Sequence, residues 1–240
     1  MAHSFPTAEG FIEYTPYTAG KPCRTWYKVH GDLKLGVRPL VIVHGGPGLS
    51  HDYMLSLTDL ACPPYNIPLV FYDQIGCGQS THLPDKNRDY GFWTEQLFLD
   101  QLTTVLRHFG IEDDYDLLGH SWGGMLASTH TARQPLGLKN LVLASTPVSG
   151  QAWMNAYKRY REMMPENYKE ELMRPREFDL PDTPEYQEAI HAFLVKHFCS
   201  LNPMPEECLR SFQHAGEDPT VVLSTYVEQN LPFPRYRFMG

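Results

Sequence analysis

Little in this 240-residue sequence speaks for a disulfide-stapled, metal-bound or membrane-spanning protein. Cysteine is sparse: five residues, at 23, 62, 77, 199 and 208, with no CxxC spacing. An odd, scattered set argues against both a disulfide framework and a zinc site. Reduced thiols in a cytoplasmic protein fit better. No stretch approaches the run of about 18 apolar residues that a membrane span needs. The first twenty residues, MAHSFPTAEGFIEYTPYTAG, lack a basic start and a secretory-length apolar run, so no leader is expected. A basic cluster is also missing. The net charge is −8, and the most basic stretch, 158–161, alternates with tyrosine. Neither nucleic acid nor a membrane is therefore expected as a partner. Internal repeats and low-complexity tracts are absent from the sequence.

What is present is the material of a sizeable core, with 42% hydrophobic residues. Residues 10–15 and 25–29 read as two short edge strands. Residues 40–43, LVIV, form a continuous apolar run, as expected of a strand buried on both faces in a parallel sheet. The alternation then repeats. SHDYMLSLTDLA is helix-like, IPLVFYD is a second buried strand, and 74–91 is a Gly- and Pro-rich loop. Residues 92–109 form an amphipathic helix stopped at Gly110. YDLLGH is a third buried strand, 122–133 a helix, and LKNLVLAS a fourth buried strand. Alternating strands and helices predict an α/β fold, doubly wound around a mainly parallel sheet. After Thr146 the composition shifts to prolines, charges and aromatics. Helices are expected at 151–163, 184–198 and 220–230, with PENYKEELMRPREFDLPDTPE the least ordered stretch.

Three glycine-rich turns follow three of the buried strands. Ser121 lies in Gly119-x-Ser121-x-Gly123, between an apolar strand and a helix. This is the pattern of a serine held on a sharp turn, whose neighbours two positions away must be nearly side-chain-free. Ser121 is the candidate nucleophile. The loop His44-Gly45-Gly46-Pro47-Gly48 can bring backbone N–H groups to a substrate carbonyl. The expected oxyanion donors are the amides of Gly46 and Trp122, with Gly45 as a further candidate, and His44, Pro47 and Gly48 support the loop. In Asp73-Gln74-Ile75-Gly76-Cys77-Gly78, Asp73 follows the wrong strand to be a triad acid and reads as structural. Cys77 reads as a packing residue.

HGGPG, DQIGCGQS and GHSWGG, in this order, resemble the proline iminopeptidase family of α/β-hydrolases over roughly residues 8–240. One departure is Ile75, where the family usually has arginine. The resemblance implies an α/β-hydrolase core at 1–146, containing six strands, and a helical cap at 147–240. It implies a serine aminopeptidase that releases an N-terminal proline or other residue from a peptide or amino-acid amide. The reaction passes through an acyl-enzyme and uses no metal or organic cofactor. A cap glutamate would hold the substrate amine, with Glu188 the first candidate and Glu228 the second.

The family order is Ser, then the triad acid, then His after the last strand. The family pattern continues past the FMG at 238–240, where this chain ends. The last two core strands and the triad Asp and His are therefore expected to lie outside it, leaving 141–143 as an open sheet edge. His120 adjoins Ser121 on a strand and should face the other way. His44 would brace its loop, His108 and His130 belong to core helices, and His191, His197 and His214 to the cap. The chain alone is thus expected to be nearly inactive. An esterase or acyltransferase on the same fold, and a non-catalytic module binding a small molecule or peptide, stay open.

Overall fold

The computed structural model describes residues 6–174 and 183–225. Six strands, β1 (Pro6–Glu13), β2 (Arg24–His30), β3 (Leu40–Val43), β4 (Leu69–Tyr72), β5 (Tyr115–His120) and β6 (Leu138–Ala144), form one sheet. Their order is β1-β2-β4-β3-β5-β6. β1 and β2 pair antiparallel and β2 joins β4 antiparallel, whereas β4, β3, β5 and β6 run parallel. Every residue of β3 and β4 is buried, as expected for strands covered on both faces. Register aligns Val43 with Gly119 and Gly119 with Leu143, so the parallel strands end together. Ligands of open α/β sheets bind at that carboxyl edge.

Several boundaries differ from the sequence expectation, each for a local reason. β1 starts at Pro6 rather than residue 10, because pairing with β2 extends it through an irregularity between Pro6 and Ala8. The helix expected from residue 92 is α1 (Glu95–Phe109). Thr94 caps it by accepting from the Leu97 amide, and Phe92 and Trp93 enter the core ahead of it. The segment Asp52–Ala61 is helical but in 3-10 form. α2 (Trp122–Ala132) is close to expectation.

Beyond β6 the described residues form α3 (Gly150–Glu162), α4 (Glu166–Met173), α5 (Pro184–His197), α6 (Glu206–Glu217) and α7 (Thr220–Thr225). α4 lies within the stretch expected to be least ordered; it forms because Leu172 and Tyr168 pack into the cluster built on α5. α6 is not among the expected helices, and it follows Pro203 and Pro205. Proline just ahead of a first helical turn is compatible with a helix, and Phe212 and Ala215 are buried. The expected helix at 220–230 is described as far as Thr225.

Cap and core are not cleanly separable at residue 146. Val221 of α7 is fully buried in the same cluster as Ile75, Cys77 and Trp93. Arg210 of α6 reaches Asp52 at 2.8 Å, and Ser211 Oγ accepts from the Ser50 amide at 3.0 Å. At the other margin, Val142 and Leu143 of β6 are 46% and 47% exposed, so among the described residues β6 is an open edge.

One clasp between loop and cap carries charge. His82 Nδ1 meets Asp218 at 2.6 Å while Nε2 meets the Gly78 carbonyl at 2.8 Å. Both ring nitrogens face acceptors, an arrangement that only the imidazolium satisfies by donating twice. The Asp218 hydrogen bond raises the His82 pKa, and the charge of Asp73 adds to it. Burial opposes ionisation of Asp218, but bonds from His82 and Thr220 outweigh it and lower that pKa. The His82 contribution is complete below its unfolded pKa and is lost as pH rises through the raised value. The Asp218 contribution is lost as pH falls through its lowered value. The stability difference between wild type and Asp218→Asn, from urea unfolding, should therefore be largest near pH 5–6 (between the unfolded carboxylate and imidazole values of about 3.9 and 6.5). It should shrink toward pH 9; a difference that grows with pH would contradict this assignment.

Candidate active site

Three loops meet at the carboxyl edge of the sheet, and the tightest is the turn from β5 into α2. Ser121 sits at its apex with φ 53° and ψ −118°, a conformation L-residues rarely adopt. Two glycines make the turn possible. A side chain at Gly119 would strike the Gly123 carbonyl oxygen, and one at Gly123 would strike the Val43 and His44 carbonyl oxygens. α2 thus presses backbone-to-backbone on the end of β3. The Ser121 amide donates to Ala144 O at 2.9 Å, and Ser121 O accepts from the amides of Gly124 and Met125 at 3.0 and 3.2 Å. Trp122 opens α2, so its amide has no intrahelical acceptor and points its dipole toward the serine end of the helix.

The loop after β3 is held by buried polar side chains. His44 Nε2 accepts from the Gln74 amide at 2.9 Å, which leaves Nδ1 to donate to Gly45 O at 2.8 Å. Burial lowers the His44 pKa, in keeping with that neutral tautomer. The Gln74 side chain donates to His44 O at 2.7 Å and accepts from Trp122 Nε1 at 3.1 Å. Gln74 therefore couples the loops of His44 and Trp122, a role that its place in a glycine-rich turn does not announce. Ile75 is fully buried and its amide donates to Gln101 Oε1 at 2.9 Å. The apolar residue at this position fills core space where a guanidinium would need a partner.

Asp73 lies beneath the loops, among the structural contacts expected of it. It accepts from the His51 amide at 2.8 Å, His51 Nδ1 at 2.9 Å and the Gln79 amide at 2.9 Å. Burial alone would raise its pKa, but His51, then His44 and the Gln79 amide, hold it at about 2. Cys77 is buried, and burial pushes its thiol pKa up.

One expected donor is engaged elsewhere. The Gly45 amide donates to Tyr53 Oη at 2.7 Å. In this structure the Gly45 amide, expected among the oxyanion donors, is thus engaged with Tyr53. Pro47 and Gly48 continue the loop beneath α7, where a side chain at Gly48 would strike Val222.

Ser121 opens into a cavity of about 410 Å³. Its core side is Tyr53, His120, Ser121 and Ser145, and its cap side includes Trp153, Tyr157, Tyr160, Phe193, His197, Cys199 and Cys208. The aromatic side chains brace each other. Trp153 and Tyr157 stack at 5.3 Å with 7° between planes, and Phe193 packs edge-on against Tyr157 at 5.3 Å. Burial raises the Tyr157 pKa to about 12 and, with the neighbouring Cys199, that of Cys208 to about 11, so these walls are uncharged. Tyr53, Ser145 and the aromatic wall carried no sequence signal beyond ordinary helix or loop composition.

The first expected amine anchor is not on this wall. Glu188 is exposed and accepts from the Tyr168 hydroxyl at 2.8 Å, and Glu228 lies outside the described residues. His120 borders the cavity together with Ser121, although adjacent strand positions should diverge, because β5 ends there and the turn brings both to one rim. Among the described residues, three histidines lie within ion-pair reach of carboxylates, His51 with Asp73, His82 with Asp218 and His214 with Asp52, and none of them lines the cavity. Among the described residues, no cluster of His, Cys, Asp and Glu could hold a metal ion, and no helix is long and apolar enough to cross a membrane.

A family profile for the alpha/beta hydrolase fold matches residues 38–185. The chain is 30% identical to a proline iminopeptidase of Clostridium botulinum over 217 residues, covering 89% of this chain and 69% of that protein. The chain belongs to the proline iminopeptidase family of α/β hydrolases. A proline iminopeptidase of Saccharolobus solfataricus is 34% identical over 81% of this chain and 61% of its own length. Among solved structures, VinJ is similar with TM-score 0.81 at 44% identity, covering 90% of this chain and 70% of that one. The proline iminopeptidase of Mycobacterium smegmatis superposes with TM-score 0.74 at 35% identity, over 89% and 69%. The chain thus spans about 60–70% of these family members' lengths.

The backbone contact under the serine can be tested directly. Gly123→Ala forces a methyl into the end of β3 and should cost about 3 kcal/mol of unfolding free energy. Gly91→Ala, where a methyl meets only Asp89 at 3.7 Å, should cost much less. Denaturant midpoints of the two variants check this, and equal midpoints would refute the close contact.

Proposed function

We propose that this chain carries the nucleophile, the oxyanion donors and part of the substrate cavity of a serine aminopeptidase. It would release an N-terminal proline or other residue from a peptide or amino-acid amide. The observation that carries this is the strained Ser121, opening into a cavity beside the first turn of a helix. Ser121 Oγ attacks the carbonyl carbon of the substrate's first residue. The negative charge that develops on the carbonyl oxygen is met by the amides of Trp122 and Gly46. The C–N bond breaks, the amine leaves with a proton, and water then cleaves the acyl-enzyme. The uncharged aromatic wall suits the apolar part of a substrate.

The Ser121 proton needs an acceptor. His120 and His197 are the histidines that border the cavity, and neither has a carboxylate partner among the described residues to orient its ring. In serine proteases, loss of the histidine costs about 10⁶ in turnover. The chain by itself should therefore be slow, with Ser121 poised and its base unsupplied.

A base can be supplied from solution. Hydrolysis of prolyl p-nitroanilide, followed with increasing imidazole, should rise above the Ser121→Ala background. Trp122→Pro, which removes one oxyanion amide, should lower the imidazole-supported rate about 10²-fold. Identical rates for the chain and Ser121→Ala at every imidazole concentration would remove Ser121 as nucleophile. If such a chain still bound prolyl amides, the non-catalytic module would be the better reading.

A further inference from the structure

Tyr53 belongs to none of the three motifs, yet its hydroxyl touches two of them. Tyr53 Oη lies 2.7 Å from the Gly45 amide and 2.7 Å from His120 Nδ1. Gly45 N–H can only donate, so the phenol oxygen accepts there. Pointing the one phenol proton at His120 Nδ1 leaves no donor of the trio unused, and in that arrangement Nδ1 is unprotonated. His120 then carries its proton on Nε2. Directionality is complete: Gly45 N–H to Tyr53 O–H to His120 Nδ1. The rings also meet edge-on, at 5.2 Å between centroids.

We propose that Tyr53 is a positioning residue that ties the oxyanion loop to the strand end bearing Ser121. The proposal rests on the reading of Ser121 as nucleophile. Its logic is one of stiffness. Residues 45, 46 and 48 are glycines, whose backbone is the least restrained of any residue. The oxyanion amide on this loop must hold its distance from Ser121 to a fraction of an ångström, and a 1 Å misplacement can cost about 10²-fold in rate. Gln74 fixes the loop from the side of His44 and the Trp122 ring. Tyr53 fixes it from the opposite side, through the residue next to the serine. No room is left for slack: a side chain at Gly45 would meet Tyr53 Oη at 2.9 Å and His120 O at 3.0 Å. Burial lowers the His120 pKa and raises that of Tyr53, so both groups stay neutral, as the directed chain requires.

Tyr53→Phe removes one oxygen and keeps the ring, so packing is retained. Three readouts separate the possibilities. In ¹⁵N-labelled wild type, His120 should show a single tautomer protonated at Nε2, and the Gly45 amide should exchange slowly. In Tyr53→Phe, Gly45 exchange should accelerate about tenfold or more, and the His120 titration midpoint should rise, because the donor that favoured its neutral form is gone. In the imidazole-supported assay, the Ser121-dependent kcat should fall about 30-fold with KM held within about twofold, since the loss falls on the transition state. Wild-type His120 protonated at Nδ1 would overturn the chain of hydrogen bonds without any variant. Gly45 exchange and His120 titration unmoved by Tyr53→Phe would overturn it as well. Their change with kcat unaltered would overturn the positioning role alone. Wild type no faster than Ser121→Ala would sink the nucleophile, while the two NMR readouts still decide the hydrogen-bond chain.

Discussion

The architecture of the site depends on one steric constraint: α2 has no side chain between its first turn and the end of β3. Gly123 lies directly on the Val43 and His44 carbonyls, and Gly119 on Gly123. Because the helix is pressed so close, the chain between β5 and α2 has only one residue with which to turn. That residue takes a positive φ, and Ser121 is lifted to the rim. A strained non-glycine residue of this kind costs of order 1–3 kcal/mol and persists only where surrounding contacts over-determine it. Here the Ala144 carbonyl holds the Ser121 amide, and α2 holds its carbonyl. The same closeness delivers the first amides of α2 to the loop after β3. The raised serine and the exposed first amides of α2 thus share one cause.

Proximity alone would leave the glycine loops free to move, and a second set of interactions removes that freedom. His44, Asp73, Gln74 and Gln101 are buried, and each is satisfied by named hydrogen bonds. Hydrogen bonds are electrostatically stronger in a low-dielectric interior, and an unpartnered group there is costly, so such a network has few alternative arrangements. It explains why the motif residues His44, Asp73 and Gln74, which precede the glycines, are polar although they face no solvent. Asp73 shows the distinction most clearly. A carboxylate held near a pKa of 2 beside a histidine looks like half of a triad, yet its oxygens are spent on His51 and the Gln79 amide. Its work is to hold two loops, and its position after β4 had already said so.

The parts legible in the sequence were those governed by local rules. Continuous apolar runs gave β3, β4 and β5, because strands covered on both faces cannot alternate. Gly119 and Gly123 marked the serine turn, because only steric exclusion requires glycine at that spacing. Less legible were features that depend on residues far apart in the chain. Tyr53 looks like any aromatic residue of a helical stretch until folding sets it against Gly45 and His120. α4 and α6 arise from packing within the cap, where polar composition and neighbouring prolines hide a modest apolar face. Glu188 was placed by resemblance in a helix register that the sequence could not verify. The fold turns it outward to Tyr168.

The two sides of the cavity are built by different kinds of contact. Its cavity walls come from α3, α5 and the segments around Cys199 and Cys208, and its floor from β5 and the turn beyond β6. The floor is set by backbone contacts that admit almost no substitution. The walls are set by side chains such as Trp153 and Tyr157, stacked on each other. An aromatic pair of that kind contributes about 0.5–1.5 kcal/mol beyond its buried area, small enough to be exchanged without unfolding the core. Ser121 is consequently held by the rigid part of the molecule, and the facing side of the cavity by the replaceable part. Val221, buried in the core cluster, works with the hydrogen bonds of Arg210, Ser211 and Asp218 to tie the helices after β6 to the loops after β3 and β4.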